Sequence, residues 1–444
     1  MSDPRGTTAD AAPVLLKGPR IIDAEGAVSE PVDILLAGGV IEAVLPAGEA
    51  SAAGSAPGRV IGCEGRFVSP GLVNLHAHSP MSIFRGIAED VSPDDWFNRE
   101  IWPYESKMEG GDTEAGARLA AAEMLDCGVT AFADHYFMAD RVCKAVLDTG
   151  IRADIAPTLF GMAGGFEGQL AESEDLFRTW NGREGRLALR IGPHSPYTCD
   201  PDQLALCADS ARKLGTGIHL HVEDDLAQIA ASREAHGLTP MQVVDRAGLT
   251  DLPLIIGHAY WILPEERPLV KTGNWIAVCM MTYMKLGLPP GPILDDPGSL
   301  PLCIGTDGAA SSNCLNPLEQ ARLLALAGKS RQGNAESFPL RDVWRILMRG
   351  HEALPFGTGR LEAGKPADLV VWNLDLPHTA PAYDPLAALI YSADARSAEH
   401  VFVSGRQLKA DGRLVFDTAE MVKEAKARAR AILKRGRGET KLVF

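Results

Sequence analysis

The tripeptide His76-Ala77-His78 closes the apolar run Phe67-Val68-Ser69-Pro70-Gly71-Leu72-Val73-Asn74-Leu75. Side chains alternate between the two faces of a strand, so both imidazoles would fall on one side, where two neutral nitrogens can close on one metal ion. Alone, such a pair is equally compatible with solvated or core histidines. Further along, His221, His258 and Asp307 also follow short apolar runs, in GIHLHVED, LIIGHAYW and LCIGTDGAA. Nitrogen and carboxylate donors suit Zn²⁺ or Fe²⁺, whereas Mg²⁺ and Ca²⁺ favour all-oxygen shells. Taken singly, each residue is only a polar strand end, and Thr306-Asp307-Gly308 only a turn. Together, at four strand ends, they point to a transition-metal centre.

Such a centre needs strands whose C-terminal ends meet. From Phe67 to about Phe356 strand-like apolar runs alternate with Ala- and Leu-rich helical stretches: VTAFADHYF, LALRIGPHSP, GTGIHLHVED, LPLIIGHAYW, NWIAVCMM and LPLCIGTDGAA. Six such units of nearly continuous apolar strands predict a parallel sheet closed as a barrel. Asp134, His135 and His194 join the other polar residues at the strand ends, where barrel enzymes keep their chemistry. Before the barrel, Pro13 to about Arg66 reads as short β runs, VLLKGPRIID and VDILLAGGVIEAV, and a small-residue loop from Gly48 to Gly58. After Leu361 strand texture returns in ADLVVWNLD and EHVFVSGRQLKADGRLVF. The first twelve or so residues read as a loose tail, and MVKEAKARARAILKR as a basic amphipathic helix, either a solvated cover or a partner surface.

Composition narrows the class. A chain of 444 residues with 46% hydrophobic and 23% charged residues can bury a large core, which excludes a disordered class. A formal net charge of −15 argues against a nucleic-acid partner, because phosphate binding needs a basic face. No stretch approaches the roughly 20 apolar residues that cross a bilayer, and the opening MSDPRGTTADAAP lacks the apolar core of a signal peptide, so a cytoplasmic protein is expected. Eight cysteines without CxxC spacing suit reduced, buried thiols.

These residues resemble the amidohydrolase superfamily, in its deaminase branch of 5'-methylthioadenosine/S-adenosylhomocysteine deaminases and related triazine and guanine aminohydrolases. The resemblance runs through PGLVNLHAHSPMSIFRGIAED, CGVTAFADHYF, GPHSPYTC, GIHLHVEDD, GHAYW, GTDGAASSNCLNPLEQARL and GRLEAGKPADLVVW. It implies a (β/α)8 TIM-like barrel over residues 67–357. A small β-sandwich from residues 1–66 and 358–416 would pack beside it, and residues 417–444 would form a C-terminal helix and tail. It further implies one divalent metal per subunit, zinc first with iron or manganese as alternatives, held by His76, His78, His221 and Asp307. Hydroxide on that metal would attack an amidine-like carbon of a purine or adenosine derivative, with Asp307 taking the proton and His258 steadying the charge. Small-molecule heterocycles are then the expected partners, without nucleic acid or membrane; a homo-oligomer is compatible with the resemblance, but no surface segment specifies one.

The chain departs from that pattern around the metal. Relatives carry H-x-x-E after the third metal histidine; here His221-Val222-Glu223-Asp224 places Asp224 at the glutamate position. Glu223 should point to the opposite face, and His219, two residues before His221 on the same face, competes as a ligand. Where relatives read C-P-x-S-N-x-K-L, the sequence is Cys279-Met280-Met281-Thr282-Tyr283-Met284-Lys285-Leu286. Tyr283 there either offers a hydroxyl to the substrate or packs against the barrel. The resemblance also makes His194 a substrate contact and puts Asp94 and Trp96 on a covering loop, with Asp94 on a ribose hydroxyl pair. Ser92-Pro93-Asp94-Asp95 reads equally as a helix cap and first turn. His135 is either a pocket contact or a satisfied core histidine. Besides deamination, the pattern leaves open hydrolysis of another C–N or C–Cl bond in a triazine, guanidine or cyclic amide, and a non-catalytic ligand-binding member.

Overall fold

A computed structural model describes residues 12–49 and 57–438. The expected loose tail, the centre of the Gly48–Gly58 loop and the extreme C-terminal residues lie outside the described residues. Strands from both parts of the chain that flank the central region build one nine-stranded sheet: β1 (Val14–Ile22), β2 (Val28–Ala37), β3 (Val40–Pro46), β4 (Arg59–Gly62) and β5 (Phe67–Pro70) early, β15 (Leu369–Trp372), β16 (Ala398–Val403), β17 (Arg406–Ala410) and β18 (Arg413–Leu414) late. Its order is β18-β17-β16-β15-β5-β1-β2-β3, with β4 also paired to β1. Period-2 alternation turns Leu16, Ile34, Leu36, Ile61, Val68, Leu369, Val371 and Phe402 into one buried cluster of its own.

The central region supplies parallel strands β6 (Leu72–Ala77), β7 (Val129–Tyr136), β8 (Arg152–Leu159), β9 (Leu187–Leu189), β10 (Gly192–Pro193), β11 (Ile218–Val222), β12 (Leu254–His258), β13 (Asn274–Val278) and β14 (Leu302–Ile304). They form two sheets, β6-β7-β8 with β9 and β10 on β8, and β11-β12-β13-β14. Isolated parallel bridges Ile191↔Ile218 and Ala77↔Asp307 join the two sheets at both seams. Most of these strands are buried throughout, as expected where helices cover a parallel sheet. The helices between them start on sequence-encoded caps. Asp200 accepts from the Gln203 amide before Pro201–Leu214, and Thr239 from that of Gln242 before Pro240–Arg246.

Two sequence expectations change. The run Phe67–Leu75 is not one strand but two: β5 pairs with β1 and β15, and β6 with β7. Gly71 makes the transition, because a Cβ there would come within 2.1 Å of Thr130 Oγ1 on β7. Strand β8 escaped the apolar pattern since Arg152 and Asp154 interrupt it. Both are buried and paired, Arg152 with Asp368 at 2.6 Å and Asp154 with Arg190 at 2.6 Å. The first pair also bolts β8 to the residue preceding β15, and removal of either partner would leave a buried charge uncompensated.

The basic helix Thr418–Arg435 lies on the helix Gly110–Asp126, burying Ala425 and Ile432 and pairing Arg435 with Asp112 and Glu109. All eight cysteines are free, seven of them buried. No helix among the described residues is long and apolar enough to cross a membrane.

Candidate active site

His76 ends the buried face of β6, and its ring fits because its neighbours are glycines. A Cβ on Gly257 would meet His76 Cε1 at 2.8 Å, and one on Gly305 would meet its Cβ at 2.8 Å. The Gly257-His258 and Gly305-Thr306-Asp307 sequences therefore carry their small residues for the sake of His76. The chain beyond His78 is clamped by Asp134, which accepts from the Ser79 amide at 2.6 Å and hydroxyl at 2.9 Å. Burial raises the Asp134 carboxyl to about 6, against those hydrogen bonds.

Three histidines present nitrogens to one point. His78 Nδ1 faces the His135 carbonyl at 2.6 Å, and His221 Nδ1 the His194 carbonyl at 2.9 Å. A carbonyl only accepts, so both Nδ1 atoms carry hydrogen, and in the neutral form of either ring the lone pair sits on Nε2. Those two Nε2 atoms lie 3.1 Å apart. His76 Nε2 is buried without a partner, while its Nδ1 lies 2.8 Å from His219 Nε2. Burial and the neighbouring imidazoles hold His76 and His221 well below the usual histidine range, so both are neutral. Asp307 Oδ1 completes the set, 3.2 Å from His78 Nε2 and 3.9 Å from His76 Nε2. Burial pulls His78 down, but the hydrogen bond and charge of Asp307 outweigh it and push the ring up to about 9. A divalent cation here would displace the proton that Asp307 keeps on His78 Nε2, and three imidazole lone pairs beside a carboxylate fit such an ion. His219 stands behind His76, partnered to that ring's far nitrogen and outside the converging set.

Asp307 and His258 adopt left-handed backbone conformations, φ 60° and 76°. In non-glycine residues this costs about 1–2 kcal/mol each and collects where function requires a fixed direction. Asp307 Oδ2 accepts from the hydroxyls of Ser311 at 2.8 Å and Thr282 at 3.1 Å, leaving Oδ1 toward the histidines. Although burial disfavours its charge, His78, His258 and Ser311 together hold the Asp307 carboxyl far below the usual range. His258, His76 and Asp307 have ligand atoms within 4.8 Å of one another. Tyr283 accepts from the Cys279 amide at 3.0 Å and lies 3.2 Å from His258 Nδ1. The phenol is buried, so its hydrogen is satisfied by donation to Nδ1, which leaves hydrogen on His258 Nε2.

Asp224 closes the other side. Its Oδ2 accepts from Gln228 Nε2 at 3.0 Å, its amide donates to Gln228 Oε1 at 3.0 Å, and the Tyr197 hydroxyl approaches at 3.5 Å. Oδ1 is buried without a partner. Burial raises this carboxyl above the ordinary aspartate value, with the nearby His258 pulling the other way. Glu223 points elsewhere, as the strand alternation requires: it accepts from the Met241 amide at 3.1 Å, and burial together with Glu266 pushes it up to about 9.

Of the other expected residues, His194 and His135 line the centre. The His194 ring lies 4.7 Å from that of His221 and is held by Ser195 and Thr198 hydroxyls; His135 lies 5.0 Å from His221, with Nδ1 on Thr158 and Nε2 unpartnered. Burial lowers both, His194 to about 3. Trp96 donates to the Ala310 carbonyl at 3.3 Å, pinning its segment to the short helix Ala309–Ser312 after Asp307. Asp94 is exposed and accepts from Asn98 at 2.9 Å in a turn capped by Ser92. The Tyr283 hydroxyl is spent on Cys279 and His258. Sequence reading missed Gln228, Ser311, Thr282 as an Asp307 partner, and Glu266. Only Gln228 had a signal, standing in the first turn after the Asp225 cap.

A family model described as Amidohydrolase family matches residues 67–408. A 5-methylthioadenosine/S-adenosylhomocysteine deaminase of Pelotomaculum thermopropionicum is 33% identical over 434 residues, covering 96% of this chain and 100% of that protein. A 5'-deoxyadenosine deaminase of Methanosarcina mazei is 32% identical over 383 residues, with 85% and 89% covered. Among solved structures, an adenosine deaminase from Xanthomonas campestris with bound zinc superposes with a TM-score of 0.89 at 29% identity, covering 95% of this chain and 98% of that one. An atrazine chlorohydrolase from Arthrobacter aurescens complexed with zinc gives 0.85 at 26%, covering 94% and 100%.

Proposed function

The chain belongs to the amidohydrolase family, and from that premise we propose that it is a metal-dependent aminohydrolase replacing the ring amine of an adenosine derivative by oxygen. The observation that carries the reading is the cluster at the strand ends, where the ligand atoms of His76, His78 and His221 lie within 4.8 Å of one another and Asp307 Oδ1 lies 3.2 Å from His78 and 3.9 Å from His76. These four residues hold the metal, zinc by donor preference. Bound there, it supplies Lewis acidity and brings a water's pKa toward neutrality. Counting β9 and β10, which both pair with β8, as one position, the nine strands from β6 to β14 make eight, and their joins at Ala77↔Asp307 and Ile191↔Ile218 support a closed (β/α)8 barrel. The separate core of the nine-stranded sheet supports a sandwich beside it. The pairing of β5 in that sheet supports a boundary between the two near Gly71, a few residues after the expected one at residue 67.

The chain's own groups divide the proton work. Asp307 takes a proton from the attacking water through Oδ1, while Asp224, whose carboxyl burial raises, gives one from Oδ1 to the ring nitrogen. A C–O bond forms at the amino-bearing carbon. His258, its hydrogen placed on Nε2 by Tyr283, donates to the oxygen as charge grows there. Asp307 then passes its proton to the amine, the C–N bond breaks and ammonia leaves. Asp224 recovers a proton from the new hydroxyl as the carbonyl forms.

Metal-replete protein incubated with adenosine, 5'-deoxyadenosine, 5'-methylthioadenosine, guanine and a chlorotriazine tests the reading. Ammonia release, with mass analysis showing the amine exchanged for oxygen, is expected from the adenosines. Chloride release alone would move the activity to a C–Cl bond, and a gain of a whole water would indicate ring opening.

A further inference from the structure

Each ligand histidine has a second ring nitrogen, and what that nitrogen meets decides where the ring keeps its hydrogen. His78 and His221 turn theirs to the backbone carbonyls of His135 and His194. For these two the fold itself sets the tautomer. His76 differs, because its Nδ1 faces a side chain, the Nε2 of His219 at 2.8 Å. A contact between two imidazole nitrogens can run in either direction.

Packing fixes where the His76 ring lies without fixing its hydrogen. The ring is fully buried, and Gly257 and Gly305 press on this residue so closely that neither could carry a Cβ. His219 sits on β11, where its amide donates to the Ile191 carbonyl at 3.1 Å beside the seam bridge Ile191↔Ile218. The two rings cross at 68° with centroids 5.0 Å apart, joining β6 of one parallel sheet to β11 of the other. Both His76 Nε2 and His219 Nδ1 are buried without a partner. A metal on His76 Nε2 takes the lone pair there, so hydrogen sits on Nδ1 and His219 Nε2 accepts it. The neutral His219 ring then keeps its own hydrogen on Nδ1, a buried donor with nothing to receive it. Native structures rarely retain such a group unless it serves another purpose.

We propose that His219 is a positioning residue for the metal, committing His76 Nδ1 to hydrogen and His76 Nε2 to the cation. The proposal rests on the metal-centre reading above. It gives a role to the histidine that shares a strand face with His221 yet stays outside the converging set.

Zinc affinity of the metal-stripped full chain, measured against a chromophoric chelator, tests the role together with nitrogen NMR of the His76 ring in the same protein. We expect the parent chain to carry hydrogen on His76 Nδ1. His219→Gln, whose side-chain oxygen can accept near the position of Nε2, should bind zinc within about threefold of the parent. His219→Leu should bind it about 10- to 100-fold more weakly and leave His76 a mixture of tautomers. Should the leucine variant fail to fold, His219→Asn replaces it, since its oxygen falls short of His76 and the same loss is expected. Parent-like affinity in the folded variant without an acceptor, an equal loss in His219→Gln, or hydrogen on His76 Nε2 in the parent would each overturn the positioning role. A parent chain that binds no zinc would overturn the metal centre on which that role rests.

Discussion

The floor of the site and its β11 wall hold the same kind of side chain in opposite condition. On the floor, Asp307 accepts from two hydroxyls and faces His78, and these partners keep it ionised although it is buried. On the wall, Asp224 has only Gln228 and a distant Tyr197, one oxygen without a partner, and burial lifts it toward its neutral form. Two titratable groups pushed apart by their surroundings are the usual mark of a base and an acid working together. Hydrogen-bond donors, not residue type, assign the roles.

Breaking the floor should cost most. Asp307→Asn removes both a ligand and a base, and turnover should fall at least about 10³-fold with reduced metal content by elemental analysis. Full activity with normal metal would show that the floor is not where the base resides. Breaking the wall should cost less and spare the metal: Asp224→Asn is expected to lower kcat about 10²- to 10³-fold at unchanged metal content. If it remained active, the proton donor would have to be sought elsewhere. Tyr283→Phe sharpens the contrast from between the two, since it frees His258 Nδ1 and leaves the Cys279 amide unsatisfied. We expect a kcat loss of about tenfold, a stability loss of about 1–3 kcal/mol, and a tautomer change in the His258 nitrogen NMR shifts. Unaltered shifts would refute the positioning role.

The smallest effect lies behind the wall. Glu223 sits above its unfolded value of 4.5, at about 9, through burial first and Glu266 second. The folded chain therefore retains a proton that the unfolded chain sheds, so stability declines as pH rises through that window. Glu266→Gln relieves the like-charge pressure and should reduce the loss between pH 6 and pH 9 by about 1 kcal/mol, read from denaturant midpoints. Equal losses in both proteins would show that burial alone raises Glu223.

What the sequence disclosed was whatever a residue carries in its own type and spacing. His76 has ligand atoms near those of His78 and His221 and, in a second group, of His258 and Asp307, and the apolar runs became the parallel strands. What it concealed depends on partners far away in the chain. Strand β8 hid because its arginine and aspartate are neutralised by Asp368 and Arg190, and His219, a competing ligand by its strand face alone, instead partners a histidine 143 residues earlier. Tyr283 left two readings open, a hydroxyl for the substrate or packing against the barrel, and it is the positions of Cys279 and His258, remote from any local pattern, that occupy its hydroxyl.

The nine-stranded sheet has a consequence for birth at the ribosome. β5 lies between β1 and β15, so the edge that β15 will cover stays open until some three hundred further residues have been made. During that interval an unpaired strand edge directly precedes the segment bearing His76 and His78, and such edges invite pairing with foreign strands. Slowed synthesis of the central region would lengthen the hazard, and a holding chaperone on the nascent β1–β5 segment would shorten it.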